Sequence, residues 1–96
     1  MACANLAEAQ KIANALLEKR LIACANILPE IHSSYLWKGK LETAKESLLI
    51  IKTRKALEKK ILEEVKKLHS YELPSIEFFS AHAEKETEKW IEKETK

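Results

Sequence analysis

Three side chains that can bind a cation or exchange a proton lie close together in the C-terminal half of the chain. His69, Tyr71 and Glu72 supply an imidazole, a phenol and a carboxylate. Cu(II) favours imidazole and leads the divalent affinity order, so a single histidine such as His69 can bind it loosely. A histidine at the end of a helix also complements the helix dipole, which is the purely structural interpretation. Both interpretations stay open on the residues alone.

The other candidate ligands do not form a metal motif. His32 and His82 are scattered along the chain, and Cys3 and Cys24 lack the close spacing of zinc or redox sites. Cys24 follows an apolar run, where a buried reduced thiol is the ordinary state. A chain with a single glycine cannot form a glycine-rich phosphate loop. We find no catalytic pattern and expect a protein that is not an enzyme.

Length and charge exclude several classes of protein. The 96 residues are enough for one core, so we expect a single domain over residues 1–96. The 17 basic side chains nearly balance the 15 acidic ones, and a net charge of +2 does not indicate the concentrated basic surface that binds nucleic acid. No apolar stretch is long enough for a bilayer and no signal-peptide pattern opens the chain. We therefore expect a cytoplasmic protein that binds neither nucleic acid nor membrane.

Hydrophobic periodicity predicts the helices that position these side chains. Apolar residues at three- and four-residue steps predict a helix over about residues 6–19, with Asn5 as its N-cap. A second apolar stripe ends at Leu68, and Thr53 is the candidate N-cap of that helix. A charged segment that ends at Trp90-Ile91 predicts a terminal helix.

The segments between the helices predict strands. We expect strands at about 21–28, continuing extended to residue 37, at 41–52 and at 76–80, with a tight turn at Gly39. Apolar residues at every position of Leu48–Ile51 suggest a central strand that is covered on both sides. The order predicts an α+β, ferredoxin-like sandwich with an antiparallel sheet, its first strand largely missing and an extra C-terminal helix.

Three segments carry a resemblance to a known family. Leu68–Ile76 (LHSYELPSI) is similar to a His-Pro-Tyr-Glu-x-Pro motif, Ser34–Glu42 (SYLWKGKLE) to Tyr-Trp-Trp-Lys-Gly, and Leu17–Pro29 to a helix-to-strand passage. In these segments the chain resembles the CutA family, small trimeric proteins linked to divalent-cation tolerance. The resemblance implies a homotrimer that long hairpins build by pairing edge to edge around a threefold axis.

The resemblance also indicates that the first strand is incomplete. In the family, a strand that ends in threonine precedes the first helix; here only Met1-Ala2-Cys3 precede it, with Ala2 at the threonine position. A misassigned start is our expectation; a trimmed chain, or direct pairing of the third and fourth strands, are the alternatives. A chain that begins at Met1 should be of low stability, because buried unpaired backbone groups cost about 1–3 kcal/mol each.

The family resemblance implies a ligand cleft between subunits. There the segment with Tyr71 and Glu72 lines the cleft, with Lys52 nearby, and such a group would bind a divalent cation or a small anionic ligand. The alternative is a structural cluster that fixes the subunit interface. No cofactor is required.

The copper ligands proposed in some family members carry over only in part. Their first-strand cysteine falls at Met1 and the first of their two histidines at Leu68, so His69 alone remains as a weak metal ligand.

Two aromatic residues before the turn are candidate interface anchors. Tyr35 and Trp37 are two positions apart in a predicted strand, so they share a face. Large aromatics beside a hairpin tip favour an interface over an isolated core, and we expect them in the trimer contact.

We predict a homotrimeric protein that takes part in the response to divalent cations and binds such cations weakly. The alternatives are a trimeric small-molecule sensor of the PII type, whose basic phosphate-binding loop is not evident, and a purely structural trimer. An RNA-binding sheet of this topology is a further alternative, but the paired aromatic residues with which such a sheet stacks bases are not evident in this sequence.

Overall fold

The computed structural model describes all 96 residues as one antiparallel sheet with helices. The strands are β1 (Ala2–Cys3), β2 (Cys24–Trp37) and β3 (Lys40–Lys52), and the helices are α1 (Leu6–Glu18), α2 (Glu58–Leu68) and α3 (Lys85–Glu94). The strand order is β1-β3-β2. The α+β fold with its extra C-terminal helix is confirmed, and β1, at the position of the first strand, has two residues.

The hairpin of β2 and β3 is the longest feature of the fold. Its ladder runs from Cys24↔Lys52 to Trp37↔Lys40. Lys38 and Gly39 form the turn with φ of 52° and 80°, so both central residues are left-handed, as a type I′ turn requires. The register shifts between Leu28 and Ile31, at a proline that has no N–H for the ladder.

The two helix starts differ from each other. Asn5 caps α1 as predicted, because its side chain accepts the N–H of Glu8 at 2.9 Å. The predicted N-cap role of Thr53 is wrong, since its hydroxyl donates to the carbonyl of Leu21 at 2.6 Å instead. The chain enters α2 through a 3-10 turn, Lys55–Leu57, that has no side-chain cap. Thr53 therefore joins the end of β3 to the loop before β2.

The core lies between one face of the sheet and the helices. Its buried members are Cys3, Ala9, Ile12, Ala13, Leu16, Leu21, Ile22, Leu49, Leu57, Ile61 and Val65. Within β3, Leu49 is 1% exposed whereas the next residue, Ile50, is 48% exposed. The expectation that β3 is covered on both sides is wrong for the single chain. The second face of the sheet, with Ile50 and the half-exposed Leu28, is open.

The strand predicted at 76–80 does not form. Residues 69–84 contain neither helix nor strand. In a ferredoxin-like sheet the last strand pairs with the first, and β1 is too short to offer it a ladder. Nor do the third and fourth strands pair directly; β3 pairs instead with β1, through Ala2↔Leu48 and Cys3↔Ser47.

None of the helices has both the length and the apolar character that crossing a membrane requires.

Candidate functional site

His69 is held by both nitrogens of its ring. Nε2 lies 2.9 Å from the carbonyl oxygen of Ala2, so it carries the hydrogen and donates it. Nδ1 therefore has the lone pair and accepts the N–H of Tyr71 at 3.1 Å. The side chain is 0% exposed. His69 also caps α2, because its backbone N–H donates to Val65 at 2.8 Å. The ring thus ties the helix end to β1.

Glu8 completes the same polar cluster from the first turn of α1. One carboxylate oxygen accepts the N–H of Ala4 at 3.0 Å, and the other accepts the N–H of Ser70 at 3.1 Å. The first of these oxygens is 3.6 Å from Nδ1 of His69. Burial opposes ionisation of Glu8, but the hydrogen bonds from Ser70 and Ala4 outweigh it and lower the pKa of this carboxyl. Glu8 is therefore a charged group at the edge of the core.

The thiol of Cys3 lies beside this pair. One donor atom each from Cys3, Glu8 and His69 can be chosen so that all three lie within 4.8 Å of one another. Burial, with Glu8 nearby, raises the pKa of the Cys3 thiol to about 11. The sequence patterns did not indicate Cys3 or Glu8 as a ligand. Their spacing matches no ligand motif. The pairing of β1 with β3 positions Cys3, and the packing of α1 near the end of α2 brings Glu8 to His69.

Tyr71 is anchored rather than free. Its hydroxyl donates to a carboxylate oxygen of the buried Glu46 at 2.6 Å, and its ring centroid is 4.7 Å from that of His69. Desolvation, followed by the hydrogen bond to Glu46, raises the pKa of the phenol. Tyr71 therefore fixes the loop after α2 against β3.

The remaining cleft residues lie apart from this cluster. Glu72 is exposed, and its carboxylate is 3.9 Å from Nζ of Lys38, a surface pair of little energetic weight. Lys52 is exposed at the far end of β3, six residues from the Glu46 that contacts Tyr71. At about 3.3 Å per residue this separation is roughly 20 Å. One chain therefore brings His69 and Tyr71 together and leaves Lys52 apart from them.

The hairpin end carries the two predicted anchors. Tyr35 is exposed and Trp37 is half-buried, with Nζ of Lys38 at 5.6 Å from its ring centroid. Their neighbours Leu36 and Leu41 are 74% and 73% exposed. The single chain therefore presents apolar groups at the hairpin end as well as on the open sheet face.

Comparison with known sequences identifies relatives over most of the chain. The sequence model of the CutA1 divalent ion tolerance proteins matches residues 1–94. Divalent-cation tolerance protein CutA of Archaeoglobus fulgidus is 49% identical over 72 residues, which are 75% of this chain and 70% of that protein. Mouse Protein CutA is 45% identical over 74 residues, 77% of this chain. Those residues are only 42% of the mouse protein, so the chain spans less than half of that relative.

Solved structures agree in fold as well as in sequence. The divalent cation tolerance protein of Thermus thermophilus has a TM-score of 0.93 at 35% identity, over 99% of this chain and 93% of that one. The protein from Archaeoglobus fulgidus, described as periplasmic, has a TM-score of 0.91 at 40% identity, over 97% and 91%. The profile match, the identities and the shared fold confirm the family that the motifs around His69 and Trp37 indicate. The chain belongs to the CutA1 family of divalent ion tolerance proteins.

Proposed function

We propose that this protein acts as a cytoplasmic homotrimer in the response to divalent cations, without enzymatic activity and without a required cofactor. The observation that carries the proposal is the open apolar face of the sheet. Leu28 and Ile50 are half-exposed on that face, whereas Leu49 of β3, on the opposite face, is 1% exposed. A monomer that exposes such a surface is prone to aggregate, whereas an interface would bury it.

A threefold arrangement accounts for these features together. Three sheets that face a common axis would cover the apolar face of each subunit, and such closed symmetry leaves no unpaired copy of the interface. The exposed hairpin ends, with Tyr35 and Trp37 as anchors, would then reach a neighbouring subunit. Aromatic side chains of this kind dominate interface energies.

The trimer would also complete the ligand cleft. His69, Tyr71 and Glu72 belong to one chain, and Lys52 lies roughly 20 Å along β3 from the Glu46 that contacts Tyr71. Within one chain Glu72 is paired with Lys38, so Lys52 would reach this segment from a neighbouring subunit. In this arrangement a divalent cation such as Cu(II), or a small anionic ligand, meets the His69 segment at the subunit boundary.

A pair of tryptophan substitutions tests the assembly. We expect Trp37→Glu to lower the solution mass from trimer to monomer, because a charge at the anchor opposes burial in the interface. Trp90→Glu is the matched control, since Trp90 lies on α3, away from the hairpin, and is 42% exposed. Light scattering measures the mass, and circular dichroism checks the fold. An unchanged mass for a folded Trp37→Glu variant would contradict the proposal.

Growth under metal stress tests the cellular role. In a bacterial host whose own protein of this family has been deleted, we expect the wild-type chain to raise the Cu(II) concentration that permits growth. Trp37→Glu should fail to do so and Trp90→Glu should succeed. Equal growth with and without the wild-type chain would instead favour a purely structural trimer.

A further inference from the structure

We propose that the Cys3 thiolate, the Glu8 carboxylate and Nδ1 of His69 form a binding site for one borderline divalent cation such as Zn(II). The inference rests on the proposed cation response and names the ligands that would serve it. Two of the three, Cys3 and Glu8, belong to no motif in the sequence. The fold alone brings them to His69.

The hydrogen bonding of His69 already selects the ligand form of its ring. A histidine that binds a metal donates its other ring N–H to a carboxylate or a backbone carbonyl, which fixes the tautomer and the ring plane. Here Nε2–H donates to the carbonyl of Ala2, and the lone pair is left on Nδ1, 3.6 Å from Glu8. The one lone pair of the ring is therefore on Nδ1, where it accepts the N–H of Tyr71 beside the Glu8 carboxylate.

The distances and the donor types fit a borderline cation. Ligand atoms around tetrahedral zinc lie about 3.3–3.8 Å apart, given metal–ligand bonds of about 2.0–2.3 Å. Donor atoms of the three side chains can be chosen within 4.8 Å of one another, so a shift of about 1 Å closes the site. A set of one sulfur, one nitrogen and one oxygen suits Zn(II) and disfavours Mg(II) and Ca(II), which take oxygen ligands. Three protein ligands leave a fourth position for water.

Cation binding changes the existing hydrogen bonds at one point. Each oxygen of Glu8 accepts one N–H and keeps a second lone pair for a metal, so its bonds to Ala4 and Ser70 can persist. The thiol of Cys3 releases its proton to solvent as the metal–sulfur bond forms, with no change of oxidation state. Nδ1 of His69 has a single lone pair, so the N–H of Tyr71 must leave it.

This exchange couples the site to the segment that carries Tyr71 and Glu72. Losing the acceptor for Tyr71 N–H frees the backbone directly before Glu72. The same segment forms one wall of the proposed subunit cleft. A cation bound at Cys3, Glu8 and His69 would therefore loosen that wall, which converts cation concentration into a local structural change. The side chain of Glu8 is 12% exposed, so the edge of the site reaches solvent.

Co(II) titration of the full chain under anaerobic, reducing conditions tests the site. We expect one equivalent of Co(II) per chain, with a thiolate-to-cobalt charge-transfer band in the near ultraviolet that Zn(II) removes by displacement. Cys3→Ser should abolish the band, and Cys24→Ser, which changes the only other thiol, should retain it. A wild-type chain that binds Co(II) without the band, or a band that survives in Cys3→Ser, would overturn the assignment.

The other two ligands have their own matched controls. We expect Glu8→Gln to weaken Co(II) binding about tenfold or more, and Glu18→Gln on the same helix to leave it unchanged. His69→Gln should behave like Glu8→Gln, with His32→Gln as the control. If His69→Gln does not fold, the Cys3 and Glu8 variants still decide the question. Equal affinity in Glu8→Gln and the wild-type chain would remove Glu8 from the site.

Amide hydrogen exchange separates a ligand role from a structural one. We expect Zn(II) to accelerate exchange at the amide of Tyr71, because its acceptor is taken by the metal, while the amides of α1 and α2 slow or stay unchanged. Slower exchange at Tyr71 would contradict the coupling. A trimer that binds Co(II) without a thiolate band would overturn this inference and leave the proposed function standing. A monomeric wild-type chain that shows the band would support this inference and contradict the proposed trimer.

Discussion

At the scale of single residues, His69 and Glu8 link the beginning of the chain to the loop after α2. His69 donates to Ala2, and Glu8 accepts from Ala4 and from Ser70. His69 could be singled out from the sequence because it ends a predicted helix, close to Tyr71 and Glu72, in a segment that resembles the family motif. The contribution of Glu8 could not, since its partners depend on how α1 packs against the end of α2.

Glu8 should contribute to stability in a pH-dependent way. Its pKa is lower in the folded chain than the ordinary value of 4.5, so its stabilisation is present above about pH 4.5 and is lost as the pH falls through the folded pKa. We expect Glu8→Gln to lower the free energy of unfolding by about 1–2 kcal/mol at pH 7. The free energy of unfolding in urea, measured from pH 7 to pH 3, should depend less on pH for Glu8→Gln than for the wild-type chain. Parallel pH curves for the two proteins would contradict this prediction.

Cys3 should be unreactive in the folded protein. Burial raises the pKa of its thiol from 9.0 to about 11, so at pH 8 the nucleophilic thiolate is scarce as well as inaccessible. In a Cys24→Ser background, we expect a disulfide reagent to modify Cys3 only at the rate at which the chain opens. Because the folded pKa is the higher one, this contribution to stability is present below pH 9 and is lost as the pH rises towards 11. Immediate modification at pH 8 would show that the thiol is accessible.

At the scale of elements, local sequence patterns correctly predicted the features that depend on neighbouring residues alone. The helix periodicity, the Asn5 cap and the left-handed turn at Gly39 each depend on a few neighbouring residues, and all three are confirmed. The strand at 76–80 was predicted wrongly because its formation needs a neighbouring strand that β1 is too short to provide. The position of Lys52, relative to Tyr71, likewise depends on packing that no local pattern encodes.

The hairpin turn offers a matched pair of substitutions. Gly39→Ala should destabilise the chain by about 1–2 kcal/mol, because φ of 80° is unfavourable for any residue with a Cβ. No atom lies within 4 Å of the added methyl group, so the cost is conformational and not steric crowding. Lys38→Asn should have the opposite sign, since asparagine accepts the left-handed conformation at the first position of this turn. Thermal unfolding measures both, and equal effects of the same sign would contradict the assignment.

At the scale of the whole molecule, one face of the sheet is left uncovered in the single chain. The helices cover the face that contains Leu49, while Leu28 and Ile50 remain half-exposed on the other. The hairpin end adds the exposed Leu36 and Leu41. The sequence showed apolar residues on both sides of β3, and the structure shows that only one side is covered from within the chain. The central claim is that two further copies of this chain cover the other side.

Light scattering of the purified wild-type chain, coupled to size exclusion and run with and without Cu(II), tests that claim most directly. We expect a single species with three times the mass of the 11.0 kDa chain, unchanged by the metal, because apolar contacts and not cations hold the assembly together. A monomer would contradict the account. So would a trimer that appears only when Cu(II) is added, since the metal would then hold the subunits together.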